Sequence, residues 1–404
     1  MSDNFAVCAV IGLSMNTLAN QREQQIASGL PIREESGFSL IELMLALMLG
    51  LIVIGGLGQI YVGGRDTNRI IDNTTLLNDN GRVAMELLAR DARLAGFFSC
   101  GGGKAKFANA LNRETFWLKL DGLEGFDVGG DGATTDTLPE AFDEFPETPP
   151  LAGTDVFVVR YADPRSRIVV GNDDLDLGNR RFVFDNAHFF RTGDVAVLND
   201  DACGQTSVFQ VTGDSNSDGS FIISYDNNEN DPDVPGNCTT MLAGEYDCDS
   251  GDRTQTERNP LDNFARARIS KLVSRAFFVA NAGSAQCPTA PAACTALKDC
   301  PTLFVVGSEN LVVGSENPTP VPVLHDVTDL QITYGVDDSA EEDAPSSGAA
   351  SIDRYLTARE INASSLWPRV ISMRIELDLM SRDCTPRRFT TTVALRNAGA
   401  VVAH

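Results

Sequence analysis

Gly37-Phe38-Ser39-Leu40-Ile41-Glu42 and the apolar run behind it decide the fold. From Phe38 to Val62 the chain holds 25 residues and one formal charge, that of Glu42. Coiled as a helix with a rise of about 1.5 Å per residue, this run is about 37 Å long, more than a hydrocarbon core of about 30 Å. A carboxylate near the start of such a helix is costly in lipid, so its presence asks for a partner. The bland alternative is a residue tolerated at the membrane interface. The small residue before Phe38 reads as a cleavage junction, with the apolar run after it instead of before it. Residues 1–36 have neither a charged n-region nor an apolar h-region, so they do not read as a conventional secretory signal. Met15 offers a later start within them.

Composition narrows the compartment. The chain has 404 residues, a net charge of −24 and 43% hydrophobic residues, which is globular and leaves room for one large domain or two ordinary ones. Residues 1–37 carry Arg22 and Arg33 against Asp3, Glu23, Glu34 and Glu35, so the acidity belongs to the part after the junction. Nucleic-acid binding is disfavoured, because phosphate neutralisation needs Lys/Arg surfaces. Nine cysteines are present. Removing Cys8 with the leader leaves Cys100, Cys203, Cys238, Cys248, Cys287, Cys294, Cys300 and Cys384, an even set that suits disulfides outside the cytosol. Buried free thiols are the alternative. No CxxC pair supports a zinc ribbon.

Glycines 50, 55, 56, 58, 63 and 64 lace the apolar helix. Small residues weaken a helix in water but let helices approach closely in lipid, so Gly50 reads as packing and Gly55 to Gly64 as flexibility. After Arg65 the pattern turns amphipathic: Ile70, Ile71, Leu77, Val83, Leu87, Leu88 and Leu94 recur at helical spacing. Gly96 is a stop signal. One long helix is expected from near Phe38 to about Ala95, against the alternative of an anchor followed by a separate surface helix. From Cys100 onward short β-like runs take over, among them 156–159, 195–198, 208–211, 221–224, 276–279, 303–306 and 330–334. The clearest alternation places Ile371, Met373, Ile375, Leu377 and Leu379 on one face, and Phe389, Thr391, Val393 and Leu395 repeat it. Stretches 121–154, 226–262 and 335–350 read as long loops. The expected fold class is α+β, a long transmembrane/amphipathic helix packed on an antiparallel β-sheet head. The division is a leader 1–37, a transmembrane half 38–62, an amphipathic half 63–96 and a β-rich head 97–404.

Gly37-Phe38-Ser39-Leu40-Ile41-Glu42-Leu43-Met44 resembles the processing motif of type IV pilins and pseudopilins. Asn80-Gly81-Arg82 through Asp91, Ala95-Gly96-Phe97, Val327 to Gly335 and Thr391 to Asn397 resemble the PilW-type minor pilins. These anchors spread across the mature chain, while about 100–270 is matched loosely. The resemblance implies cleavage between Gly37 and Phe38 by a membrane prepilin peptidase, methylation of the new Phe38 amine, and an assembly role for Glu42. It implies an inner-membrane, single-pass precursor with a periplasmic pilin-like head that then enters the pilus. The implied partners are other minor pilins, the major pilin, the inner-membrane assembly platform and a large tip adhesin. The implied function is initiation and assembly of a type IV pilus near its tip. Type II secretion pseudopilins of the J type share this logic, and a membrane-anchored adhesin or binding module is the alternative from another class. Glu34 and Glu35 stand where the family has basic residues.

Other motifs carry less. Asp214, Asn216 and Asp218, with Gly219, copy the first half of a calcium loop, but Tyr225 stands at the twelfth position where a bidentate Glu is needed. A turn between strands is the competing reading. Gly101-Gly102-Gly103-Lys104 lacks the first P-loop glycine. His188, His325 and His404 form no HExxH, and no GxSxG occurs, so neither an enzyme nor a cofactor is expected. By proximity, bridges within 238/248 and 287/294/300 and between Cys100 and Cys203 are the simplest of 105 connectivities. The six residues 305–310 recur at 312–317, which reads as a local duplication.

Overall fold

The computed structural model describes residues 37, 39–98, 106–112, 116–129, 138–171, 174–202, 204–217, 220–226, 236–242, 246–247, 266–283, 294–308, 318–338 and 351–395. One helix, α1, runs Leu40–Leu94. It matches the expected long helix to within two residues at each end. The chain divides between Asn68 and Arg69 into two compact units, so the second half of α1 belongs with the sheets that follow.

Downstream lie β1 (Lys106–Asn109), β2 (Leu123–Asp127), β3 (Asp155–Ala162), β4 (Ile168–Val169), β5 (Leu175–Asp176) and β6 (Arg181–Phe184). Next are β7 (Val195–Asn199), β8 (Gln205–Gln210), β9 (Gly213–Ser217), β10 (Ser220–Ser224), β11 (Tyr246–Asp247) and β12 (Arg268–Asn281). The last are β13 (Pro301–Gly307), β14 (Val321–His325), β15 (Val327–Val336), β16 (Arg354–Leu356), a short helix α2 (Ala358–Ser364), β17 (Val370–Met380) and β18 (Pro386–Ala394). The largest sheet has the order β11-β1-β8-β7-β12-β13-β14, with β3 and β4 also on β12 and β2 on β3. Two four-stranded sheets follow the orders β5-β6-β10-β9 and β16-β15-β17-β18. Pairing is antiparallel except at β1, which runs parallel to both β8 and β11. The α+β class stands.

The long strand β12 organises the head. Its first half pairs with β7 and β4, its second half with β3 and β13. Both its faces are buried: Phe277 stacks on Phe157 toward α1, while Phe278 stacks on Phe304 toward the opposite layer. The central core joins Leu77, Ala84, Leu88 and Ala92 of α1 to Ile332 of β15 and Ile375 of β17. From Met373 onward β17 alternates as read from the sequence: Met373, Ile375, Leu377 and Leu379 are buried, with half-buried Arg374, Glu376 and Asp378 between them; before that the alternation breaks, with Ile371 half-buried and Ser372 buried.

Two expectations change. Of 121–154, read as loop, Leu123–Asp127 is a strand paired with β3, and Phe142 and Phe145 are core residues around Trp117. Aromatic packing gives this Gly- and Pro-rich stretch an interior role that a composition count hides. The second change concerns the helix face. The buried positions of α1 are Leu77, Gly81, Ala84, Met85, Leu88, Ala89, Asp91 and Ala92. Ile70, Ile71 and Val83 are 58%, 54% and 68% exposed. Leu77, Met85 and Leu88 share the inward face with Gly81, Ala84, Ala89 and Ala92, where backbones approach closely, and Ile70, Ile71 and Val83 turn outward.

Candidate processing and assembly site

Phe38 lies outside the described residues, and Gly37 and Ser39 flank it. Ser39 caps α1. Its Oγ accepts from the Ile41 N–H at 3.3 Å, and the Glu42 carboxylate accepts from the Ser39 N–H at 3.3 Å. Leu40 is the first helical residue, so Ser39 is the N-cap and Glu42 the third position of the first turn. This is a reciprocal capping arrangement, in which two otherwise unpaired backbone donors find oxygen acceptors. A carboxylate there also meets the positive end of the helix dipole. The sequence carried the signal, Ser-x-x-Glu before an apolar run, but the reading of Glu42 as an assembly residue passed over it. One long contact to its own chain leaves most of the carboxylate's lone pairs available.

Behind the cap, Leu40 to Val62 present their side chains outward, with Leu40 and Ile41 both 76% exposed. This helix is long and apolar enough to cross a membrane. At glycines 50, 55, 56, 58, 63 and 64, a Cβ would meet no atom within 4 Å beyond the neighbouring residues and the helix's own backbone.

The second half of α1 is fixed to the head by specific contacts. At Gly81 an added Cβ would overlap the ring of Phe389 on β18. The absent side chain is what lets that ring reach the helix. Asp91, fully buried, pairs with Arg275 of β12 at 2.7 Å, and the Tyr161 hydroxyl lies 3.4 Å from it. Gly96, at φ 72°, ends the helix, and its N–H donates to the Arg160 carbonyl at 3.0 Å. A Cβ on Gly122 would overlap Gly96. The buried Arg160 guanidinium then holds the next segment: it donates to the carbonyls of Asp121 and Phe116, pairs with Glu124 at 2.7 Å and lies 5.0 Å from the Phe116 ring centre. The motif glycines at 81 and 96 are thus close-approach and capping positions.

Of the cysteines, Cys100, Cys203, Cys248 and Cys287 lie outside the described residues. Cys294 is disulfide-bonded to Cys384, 90 residues away, and Cys238 and Cys300 are also half-cystines. Short-range bridging of Cys294 to Cys287 or Cys300 does not hold. Sheet packing brings the β17–β18 turn beside the segment before β13, a proximity invisible in linear spacing. The calcium candidates sit on a hairpin strand. Asp214 accepts from the N–H and hydroxyl of Thr192, both at 2.7 Å, and Asn216 exchanges hydrogen bonds with His188. Asp218 lies outside the described residues. Alternate residues of a strand stand about 7 Å apart, not in the convergent geometry of a calcium loop. Among the described residues no cluster of three or more His, Cys, Asp or Glu could hold a metal ion.

Two family models match the chain. Residues 32–58 match the prokaryotic N-terminal methylation motif, and residues 277–392 match the type IV pilus-assembly protein W family. The first covers the capped apolar helix start. The second runs from within β12 into β18 and so includes Cys294, Cys384 and Phe389. No curated protein and no solved structure matches the chain. The matches support a minor-pilin role in a type IV pilus, a structural component of a membrane-anchored system, and with the apolar helix and antiparallel head they are consistent with a PilW-type, prepilin-like protein.

Proposed function

We propose that this chain is a minor pilin that helps initiate and assemble a type IV pilus near its tip. In this reading prepilin peptidase cuts between Gly37 and Phe38 and methylates the new amine. The head, acidic and cystine-containing, then stands in the periplasm before entering the filament. The observation that carries the reading is the methylation-motif match lying on a capped, outward-facing apolar helix start, with Glu42 at its first turn.

Glu42 supplies the charge for stacking. In a low-dielectric surrounding a carboxylate attracts the positive amine of a neighbouring subunit strongly, which favours a staggered helical arrangement. The partners in this reading are other minor pilins, the major pilin, the inner-membrane assembly platform and a large tip adhesin. Neither a cofactor nor calcium enters it. The test is Glu42→Ala expressed in a strain lacking the wild-type chain. Leader removal should continue while surface piliation and twitching fall. Normal piliation in that strain would defeat the assembly role of Glu42, and lost exoprotein secretion with normal piliation would move the chain to the secretion system.

A further inference from the structure

The turn between β17 and β18 touches both a disulfide and the helix. It is closed on itself: the Ser381 N–H donates to the Thr385 carbonyl at 3.0 Å, the Thr385 N–H to Ser381 Oγ at 3.1 Å, and the Cys384 N–H to the Ser381 carbonyl at 2.9 Å. Cys384 adopts φ 59°, a left-handed conformation that non-glycine residues hold when the surroundings impose it. Its neighbour Asp383 points at α1. One carboxylate oxygen lies 3.5 Å from Arg69, and the other accepts from the Asn73 side-chain amide one helical turn on. Among the described residues, no other hydrogen bond or ion pair ties α1 to the sheets before Asp91, and the first buried residue of α1 is Leu77. Asp383 is therefore the outermost polar grip on the head's share of the helix.

The other end of the disulfide is anchored. Cys294 is buried and its carbonyl accepts from Leu297; Leu297 in turn accepts from Cys300, which leads directly into β13 and is itself a half-cystine. The exposed turn carrying Asp383 is thus tied to a fixed point of the large sheet through one covalent bond. We propose that the Cys294–Cys384 disulfide is a redox-sensitive catch for the helix, holding the 381–385 turn in the shape that docks Asp383 on Arg69 and Asn73. A dithiol reductant would open the catch by donating two electrons and two protons. The S–S bond breaks, both cysteines become thiols, and the reductant becomes a disulfide. A disulfide-donating oxidant reverses the step. With the catch open, the left-handed turn relaxes and the helical turn at 69–73 loses its grip on the head.

Amide hydrogen exchange on the full chain in detergent micelles tests this. Exchange across 69–77 should rise about tenfold in Cys294→Ser/Cys384→Ser while β15 and β17 stay protected, because local opening is separable from global unfolding. Asp383→Ala, with the disulfide intact, should raise exchange over the same residues, and adding it to the cysteine pair should change little more. Unchanged exchange at 69–77 in a folded cysteine variant would overturn the proposal. Should the cysteine variant not fold, the wild-type chain treated with dithiothreitol takes its place: a rise at 69–77 with β15 and β17 still protected supports the proposal, and unchanged exchange there overturns it.

Discussion

Removing the carboxylate of Asp91 is the sharpest test of how the helix is held to the head. Asp91 is fully buried on α1, 2.7 Å from Arg275, whose side chain is 16% exposed. With an effective dielectric constant near 20, two unit charges at that distance attract by about 6 kcal/mol before desolvation is counted. Desolvation offsets much of that in the intact pair. It does not protect the variant, because Asp91→Asn removes the carboxylate charge from beside a partly buried guanidinium. Breaking a buried pair in this way costs about 3–5 kcal/mol. In a unit of this size about 2 °C of Tm accompanies each kcal/mol, so the expected loss is about 6–10 °C. Near-ultraviolet circular dichroism of the full chain in detergent reads it, with hydrogen exchange over residues 84–94 to locate the loosening. Arg275→Met placed on top should recover part of the loss, since the guanidinium facing the altered position is then removed as well. A Tm within about 2 °C of wild type for Asp91→Asn would refute the reasoning, because the pair would then contribute no more than a surface contact.

Two further outcomes follow from the packing and the electrostatics. Gly81→Ala should lower Tm even though alanine is the better helix former by about 1 kcal/mol, because its Cβ overlaps the Phe389 ring; Phe389→Leu in the same chain should restore part of the loss, and a Tm gain from Gly81→Ala alone would show that ring and helix do not touch. Burial, with Asp378 nearby, pushes the Asp329 carboxyl above its ordinary range, against the opposing hydrogen bond from Gln331. The folded state therefore binds that proton more tightly than the unfolded chain, so the contribution to stability is full below about pH 3.8 and is lost as pH rises through the raised value. Asp329→Asn should accordingly raise Tm at pH 7 and lose its advantage below about pH 3.8; a lowered Tm at pH 7 would reverse the sign of this argument.

How far the residues alone disclosed the protein differs between its two ends. The helix and the strands near the C-terminus were legible because each buries a single face, so the period of 3.6 or 2 is written directly into the residues, as at Met373, Ile375, Leu377 and Leu379. Strands β1 and β2 and helix α2 were not, since each is short and stabilised by neighbours distant in sequence. The capping box Thr357/Glu360 of α2 was present but brief. The helix face was misread where Gly81, Ala84 and Ala92 do the packing: small residues give no hydrophobic signal, although close approach is the reason for them. At the candidate site, Glu42 stood out because a charge in an apolar run is conspicuous. Ser39 did not, since a serine before a helix is ordinary until its hydroxyl is seen on the Ile41 N–H. The Cys294–Cys384 bond was illegible for a plainer reason. Linear spacing favours short loops, and sheet packing joined cysteines that spacing would leave apart.

The processed N-terminus is the central claim, and intact mass spectrometry with N-terminal fragmentation of the chain recovered from sheared pili measures it directly. The expected species begins at Phe38 with one added methyl group on its amine and lacks every residue through Gly37. Recovery from pili of a chain that still carries Cys8 and the rest of the leader would contradict the account.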